Sequence, residues 1–486
     1  MSTIQSRCFC VVCAIVAGAV AAAFFLFGTP RAGAQEKPVS FVSDVAPIFK
    51  ENCFACHDGK KRSGKLDMTT FEKLMQGGSS DSPIAAGKPE ESYLIELVNA
   101  KGKKMMPPEG KGQRLNKEQI SKIEQWIKQG AKLDGGVNAK ADLVRELRMR
   151  WQPPAPPAVY PYPAIVNAVA FTPDNKSIIA GGHHELTVWN FTTGKLEKRI
   201  STRAERAYAM QFLADGKLVV AGARPGQEGD VRVFDINASG KAENGVIMLD
   251  GVKDPKVMLK QLVDADDAVL SLAVSPDGKR LASGGCDRVV RVWDISGGIL
   301  NAKIDQTIEN HADWVFGVAF AADGKHLVTC GRDKTAKVWD LAAKESVMTF
   351  PDHQNPVFAV AIKADGKVGY SAGDDKQLRM WNAVADGKQI RAVAGHGDSI
   401  LKLVAHPKQS LLVTASADKT VRVWNADNGS AVRTLSGMTD QVFAVAISGD
   451  GTMVAAGSYA GEVYVWKIAD GTVVKSFNAS PGFVKK

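Results

Sequence analysis

The chain has 486 residues, 45% hydrophobic and 23% charged, and its 61 Lys and Arg against 52 Asp and Glu give a net charge of +9. That length calls for two or more domains with ample chain for a core. The modest positive balance and the lack of any Lys/Arg block exclude a nucleic-acid arm; acidic proteins are the partners it favours.

Arg7 is the only charge before Arg31, and Cys8 to Phe27 is a run of twenty residues without a charge. Ala32-Gly33-Ala34 then offers a small-x-small cleavage site before polar Gln35-Glu36-Lys37. This pattern predicts a secretory signal peptide over residues 1–34 and an exported protein of the periplasm or cell envelope, with no membrane span after cleavage. The competing reading is an uncleaved N-terminal anchor, because twenty apolar residues can just cross a bilayer. Of the seven cysteines, Cys8, Cys10 and Cys13 leave with the signal. Cys286 and Cys330 are not expected to pair, because they occupy different positions of neighbouring repeats.

The next segment, 38–135, reads as a small all-α domain. Ser43 or Asp44 is expected to cap a helix through Ile48 and Phe49. Thr69 or Thr70 is expected to cap Phe71 to Gln76, and Leu94, Ile95, Leu97 and Val98 mark a third helix. Asn116 and Gln119 make a capping box for a fourth, whose stripe is Ile120, Ile123, Trp126 and Ile127. At the end of the first helix stands Cys53-Phe54-Ala55-Cys56-His57. This C-x-x-C-H order is the attachment site of a c-type haem: two thiols form thioethers, and the next residue places an imidazole under the iron. Outside residues 1–34, whose Cys10-Val11-Val12-Cys13 leaves with the signal, no second CxxC and no HxxxH is present to complete a zinc site. His57 is the only histidine between 35 and 182, so the second axial ligand is sought among Met68, Met75, Met105 and Met106. Met68 and Met75 read as core filler. Met105 and Met106 precede Pro107-Pro108, which stiffen a loop able to hold a thioether over a haem face.

The series C-F-A-C-H, G-K-L-D-M, G-G-S-S-D, A-G-K-P-E-E-S-Y-L, M-M-P-P-E-G and I-E-Q-W-I-K-Q-G-A resembles the planctomycete-type cytochrome c domain over about 95 residues. The resemblance implies one covalent haem c held by Cys53 and Cys56, with His57 and Met106 as iron ligands. Histidine–methionine ligation closes both axial positions and suits electron transfer. Lys60, Lys61, Arg62, Lys65, Lys101, Lys103, Lys104 and Lys111 flank these motifs and could steer an acidic redox partner.

Residues 136–163 read as a charged helix from Ala139 to Trp151 and then a proline-rich linker, a semi-rigid spacer of about 30 Å whose 153–163 part is able to lean on the seam of the repeat domain that follows. Over 164–480 an aromatic recurs: Trp189, Phe234, Trp293, Trp339, Trp381, Trp424 and Trp466. The long interval after Phe234 fits an insertion near 241–262. Four strand-like runs per unit and seven units resemble an all-β, seven-bladed WD40 propeller. An aspartate stands six residues before the tryptophan in four repeats (Asp287, Asp333, Asp375, Asp418), and a hydroxyl stands four before each (Ser283, Thr329, Ser371, Thr414). With His311, His353 and His396, the resemblance makes these buried His–Ser/Thr–Asp–Trp tetrads, hence architecture and not catalysis. His183 takes the aspartate position of the first repeat and reads as a turn variant.

The whole reads as an exported monohaem c-type cytochrome that carries single electrons, its propeller a docking scaffold for other proteins. It reads as a carrier and scaffold more than a catalyst. The alternatives are a haem-linked enzyme with a propeller active site, and a haem-based redox or ligand sensor.

Overall fold

The protein is described from a computed structural model that covers residues 37–80, 82–384 and 386–484. The expected signal segment and its three cysteines lie outside the described residues. Two compact units divide between Arg150 and Trp151.

The first unit is helical. Its opening helix starts earlier than expected: Ser40 Oγ accepts from Ser43 N at 2.9 Å, and Asp44 Oδ2 accepts from Ser40 N at 3.0 Å. This reciprocal cap starts a wide turn, Phe41–Val45, that runs into α1 (Ala46–Asn52), where Pro47 needs no amide partner. Helix α2 (Phe71–Gln76) is capped by Thr70, and α3 (Tyr93–Asn99) buries Leu94, Ile95 and Val98. Helix α4 (Lys117–Lys128) carries the expected Asn116–Gln119 capping box. Its Trp126 ring lies 5.0 Å from Phe41 and edge-on to Phe49 and Phe71 at 6.5 Å, which centres the core on aromatics. Helix α5 (Leu143–Arg150) is shorter than the expected 139–151 and belongs to this unit. Leu143 is fully buried in the same core, and its amide bonds Thr69 O at 2.8 Å.

The second unit is a seven-bladed antiparallel β-propeller. Each blade opens with the expected apolar strand and polar turn. In blade 3, Ser275 Oγ donates to Asp277 Oδ1 at 2.6 Å, and Gly278 takes φ +69°, a conformation open to glycine at little cost. Valines, isoleucines and alanines of adjacent blades interdigitate, and the blade tryptophans Trp293, Trp381, Trp424 and Trp466 are almost fully buried between them.

The insertion after Phe234 has a use the sequence does not announce. Its hairpin, Lys241–Glu243 and Val246–Leu249, adds to the outer strand of blade 1 in parallel, Arg199 facing Met248. Blade 1 becomes a six-stranded sheet, and its new edge carries the charged pair Lys241 and Glu243, which discourages further strand addition.

The ring closes without strand exchange: blade 1 begins at Val169–Phe171, and blade 7 ends at Val473–Asn478 in its own sheet. The proline-rich stretch, expected as a spacer able to lean on the seam, packs along it. Tyr160 N donates to Pro481 O at 3.0 Å, and Ala164 N to Ser480 Oγ at 2.8 Å. Tyr160 Oη donates to Glu185 Oε1 at 2.6 Å, and Glu185 is gripped by Arg199, whose Nη2 also reaches Pro157 O at 2.7 Å. An extended proline-rich chain has no internal hydrogen bonds, so its carbonyls are free to take these.

Candidate functional site

Helix α1 delivers the Cys53–His57 stretch. Cys53 N and Phe54 N both donate to Phe49 O, at 2.8 and 3.0 Å, and Phe54 enters the core at 6% exposure. The chain then turns on itself: Cys56 N and His57 N both donate to Cys53 O at 3.1 Å. Both thiols and the imidazole are thereby carried on one turn, each half-buried and both cysteines free. Burial, with Cys56 adding to it, pushes the Cys53 thiol up to about 12. His57 Nδ1 is buried and meets no hydrogen-bond partner among the described residues. An unpaired buried nitrogen costs about 1–3 kcal/mol. Two unbonded thiols and such an imidazole are a donor set that suits a covalent haem.

Behind this turn lies a knot built by the G-K-L-D-M stretch. Met68 N donates to His57 O at 2.8 Å. Asp67, 3% exposed, accepts from Thr69 N, from Thr69 Oγ1 at 2.6 Å and from Lys73 Nζ at 2.8 Å. Burial raises its carboxyl pKa, but Lys73 and Thr69 outweigh that and hold it below the ordinary value. The Met68 side chain is 1% exposed within the core, and Met75 packs against that core.

Met105 and Met106 are half-buried in the loop after α3. Met106 N donates to Leu97 O at 3.0 Å, and Arg114 Nη2 closes the loop on Val98 O and Ala100 O at 3.3 and 2.9 Å. The loop thus hangs from α3, and α3 shares one core with α1 and Phe54. Lys60, Lys65, Lys101, Lys103 and Lys111 are exposed and form no ion pair among the described residues, whereas Arg62 leans toward Asp67 at 3.8 Å and Lys104 toward Glu96 at 3.9 Å.

The propeller histidines have different surroundings. His311 Nδ1 meets Asp333 at 2.8 Å and Nε2 meets Thr329 Oγ1 at 2.7 Å; the same hydroxyl accepts from Trp339 Nε1 at 2.8 Å. His353–Ser371–Asp375–Trp381 and His396–Thr414–Asp418–Trp424 repeat this in blades 5 and 6. Blade 3 departs from the expectation: Ala265 stands at the histidine position, Asp287 pairs with Arg291 at 2.7 Å, and Ser283 Oγ is left buried without a partner. Trp189 Nε1 and Trp466 Nε1 of blades 1 and 7 are likewise unpartnered. His184, at φ +57°, and His183 meet edge to face in a bend, ring centroids 4.6 Å apart.

Residues 53–110 match the sequence profile of the family described as Planctomycete cytochrome C. The profile described as WD domain, G-beta repeat matches five times, at 257–294, 302–340, 344–382, 387–425 and 429–467. The chain joins a planctomycete-type cytochrome c domain to a WD40 propeller. The WD40 profile leaves out blade 1 and all of blade 2 except its outer strand; neither blade carries the tetrad, and in blade 2 Phe234 replaces the tryptophan.

Among curated proteins the chain is similar to U3 small nucleolar RNA-associated protein 12 of Saccharomyces cerevisiae, 30% identical over 26% of this chain and 12% of that protein. It is also similar to Protein groucho of Drosophila melanogaster, 24% identical over 27% of this chain and 16% of that protein. COMPASS component SWD3 of S. cerevisiae is 29% identical over 17% of this chain and 26% of its own length. The chain therefore spans at most about a quarter of each of these relatives. Among the described residues no helix is long and apolar enough to cross a membrane.

Proposed function

We propose that this chain is an exported monohaem c-type cytochrome that carries single electrons, with its WD40 propeller as a protein-docking scaffold. The observation that carries the reading is the Cys53–His57 turn: two free thiols beside an imidazole with an unpaired buried nitrogen, in the stretch that matches a cytochrome family. A bound haem supplies a one-electron iron couple. Cys53 and Cys56 would hold it covalently, and His57 and Met106 would take the two axial positions. Phe54, Phe41, Phe49 and Trp126 form an apolar core behind the turn that excludes water from that side. The unpaired lysines around the motif and the methionine loop favour docking of an acidic redox partner. The docking role of the propeller is supported by the WD40 repeats and by a relative that is by name a component of an assembly. Export rests on the apolar N-terminal run and its cleavage site.

The test is the absorption spectrum of haem-matured protein, oxidised and reduced, for wild type and Met106→Leu. Sulfur ligation gives the oxidised wild type a weak far-red charge-transfer band that the variant lacks. A wild type without that band that binds carbon monoxide readily has an open iron, and the electron-carrier reading then yields to a ligand sensor or an enzyme.

A further inference from the structure

The inner strands of blades 2 to 7 all break register at one level. The residues just past the break are Ala209, Ser271, Gly317, Ala359, Lys402 and Ala444. All six line the central channel of the propeller, a cavity of about 340 Å³. Five of the six are as small as side chains come. The sixth is a lysine.

That lysine is out of keeping with the rest of the unit. Three of the arginines sunk in the propeller are paired with carboxylates: Arg199 with Glu185 at 2.7 Å, Arg203 with Glu228 at 3.1 Å, Arg232 with Asp230 at 2.6 Å. Lys402, half-buried, has no hydrogen bond and no ion pair among the described residues, and no other charged side chain lines the channel. Burial holds its ammonium below the ordinary lysine value, against the opposing influence of the Cys330 thiol. A confined, uncompensated cation is costly unless something brings the opposite charge.

The walls suggest what that something is. Tyr208, Phe316 and Phe358 also line the channel, and the two phenylalanine rings meet edge to face at 5.1 Å. At about 30 Å³ per water the cavity has room for about ten waters, or for one ring and a carboxylate. We propose that the central channel binds a small organic carboxylate with a flat apolar body, its carboxylate on the Lys402 ammonium and its body against the aromatic side chains. The lysine supplies charge, the small ring supplies room, and the aromatics supply apolar contact.

The test is calorimetric titration of the full chain with benzoate, using wild type, Lys402→Met and Lys402→Arg, with thermal unfolding run beside it to show that each is folded. Wild type binds benzoate, Lys402→Met binds it at least about tenfold more weakly, and Lys402→Arg retains binding, as a charge-assisted hydrogen bond requires. Benzyl alcohol, the uncharged analogue, binds wild type and Lys402→Met alike. No benzoate binding by wild type, or equal binding by wild type and Lys402→Met, overturns the proposal. Phosphate that binds as tightly as benzoate overturns the assignment of an apolar body.

Discussion

His57 and His311 are the same residue in opposite circumstances. Both ring nitrogens of His311 are paired, with Asp333 and Thr329, whereas Nδ1 of His57 is buried with nothing to meet. The propeller spends its histidines on its own hydrogen-bond network, and the helical unit leaves one unfinished beside two free thiols. Histidine content by itself would not separate the two; the count of satisfied nitrogens does. A group left incomplete by its own fold is where an outside atom is expected, and a completed one is expected to matter for stability alone.

The sharpest way to break this comparison is to remove the thiols. Cys53→Ser with Cys56→Ser is expected to abolish covalent haem attachment altogether, read as loss of haem-stained protein on a denaturing gel, while the denaturant midpoint of the propeller stays put. A variant that still carries covalent haem ends the assignment. Next comes the tetrad hub. Thr329→Val orphans His311 Nε2 and Trp339 Nε1 together and is expected to destabilise the propeller by about 3 kcal/mol, since each buried unpaired group costs about 1–3 kcal/mol. The reduced haem spectrum is expected to be unchanged. A midpoint in urea equal to that of wild type would show that the tetrad is ornamental.

Acid should separate the networks further. Burial raises the Asp333 and Asp418 carboxyls, but hydrogen bonds from His311 and Thr335, and from Thr420, Gly397 and His396, pull them down to about 2. The unfolded chain therefore takes up these protons first as pH falls, so their stabilisation is present above about pH 4 and drains away toward pH 2. Burial also lowers His396, so its contribution starts to fade below about pH 6.5. Urea midpoints followed by tryptophan fluorescence are expected to decline gently below pH 6.5 and steeply below pH 4, and Asp418→Asn is expected to flatten the steep part. The smallest effect is a gain. Ala456 faces Tyr464 as Thr329 faces Lys337, ten residues before its tryptophan, and Trp466 Nε1 has no partner. Ala456→Ser offers the missing acceptor and is expected to raise stability by about 1 kcal/mol; an unchanged or lower unfolding temperature would count against the tetrad account of blade 7.

Much of this was legible in the chain because the informative residues are close together or strictly periodic. Cys53, Cys56 and His57 share one turn, so adjacency alone brings them together. The blade aromatics and the Asp–Trp spacing repeat often enough to specify a propeller, and the α4 capping box needs only three residues. Where reading failed, the deciding contact was longer-ranged or local rules tied. Ser43 and Asp44 read as the caps of the first helix, and only the bonds Ser40 N–Asp44 Oδ2 and Ser43 N–Ser40 Oγ start it at Ser40 instead. Nothing near Lys241 says that its hairpin will pair with blade 1, because that edge is built from residues some fifty positions earlier. The proline-rich stretch reads as a spacer able to lean on the seam, but that Arg199 and Glu185 are what hold it is not written near it. Lys402 is one strand lysine among many until six register breaks bring small residues and aromatics around it. Local chemistry and period are written in sequence; which groups end up unpaired is decided only when distant segments close around them, because burial and satisfaction are properties of the packed whole.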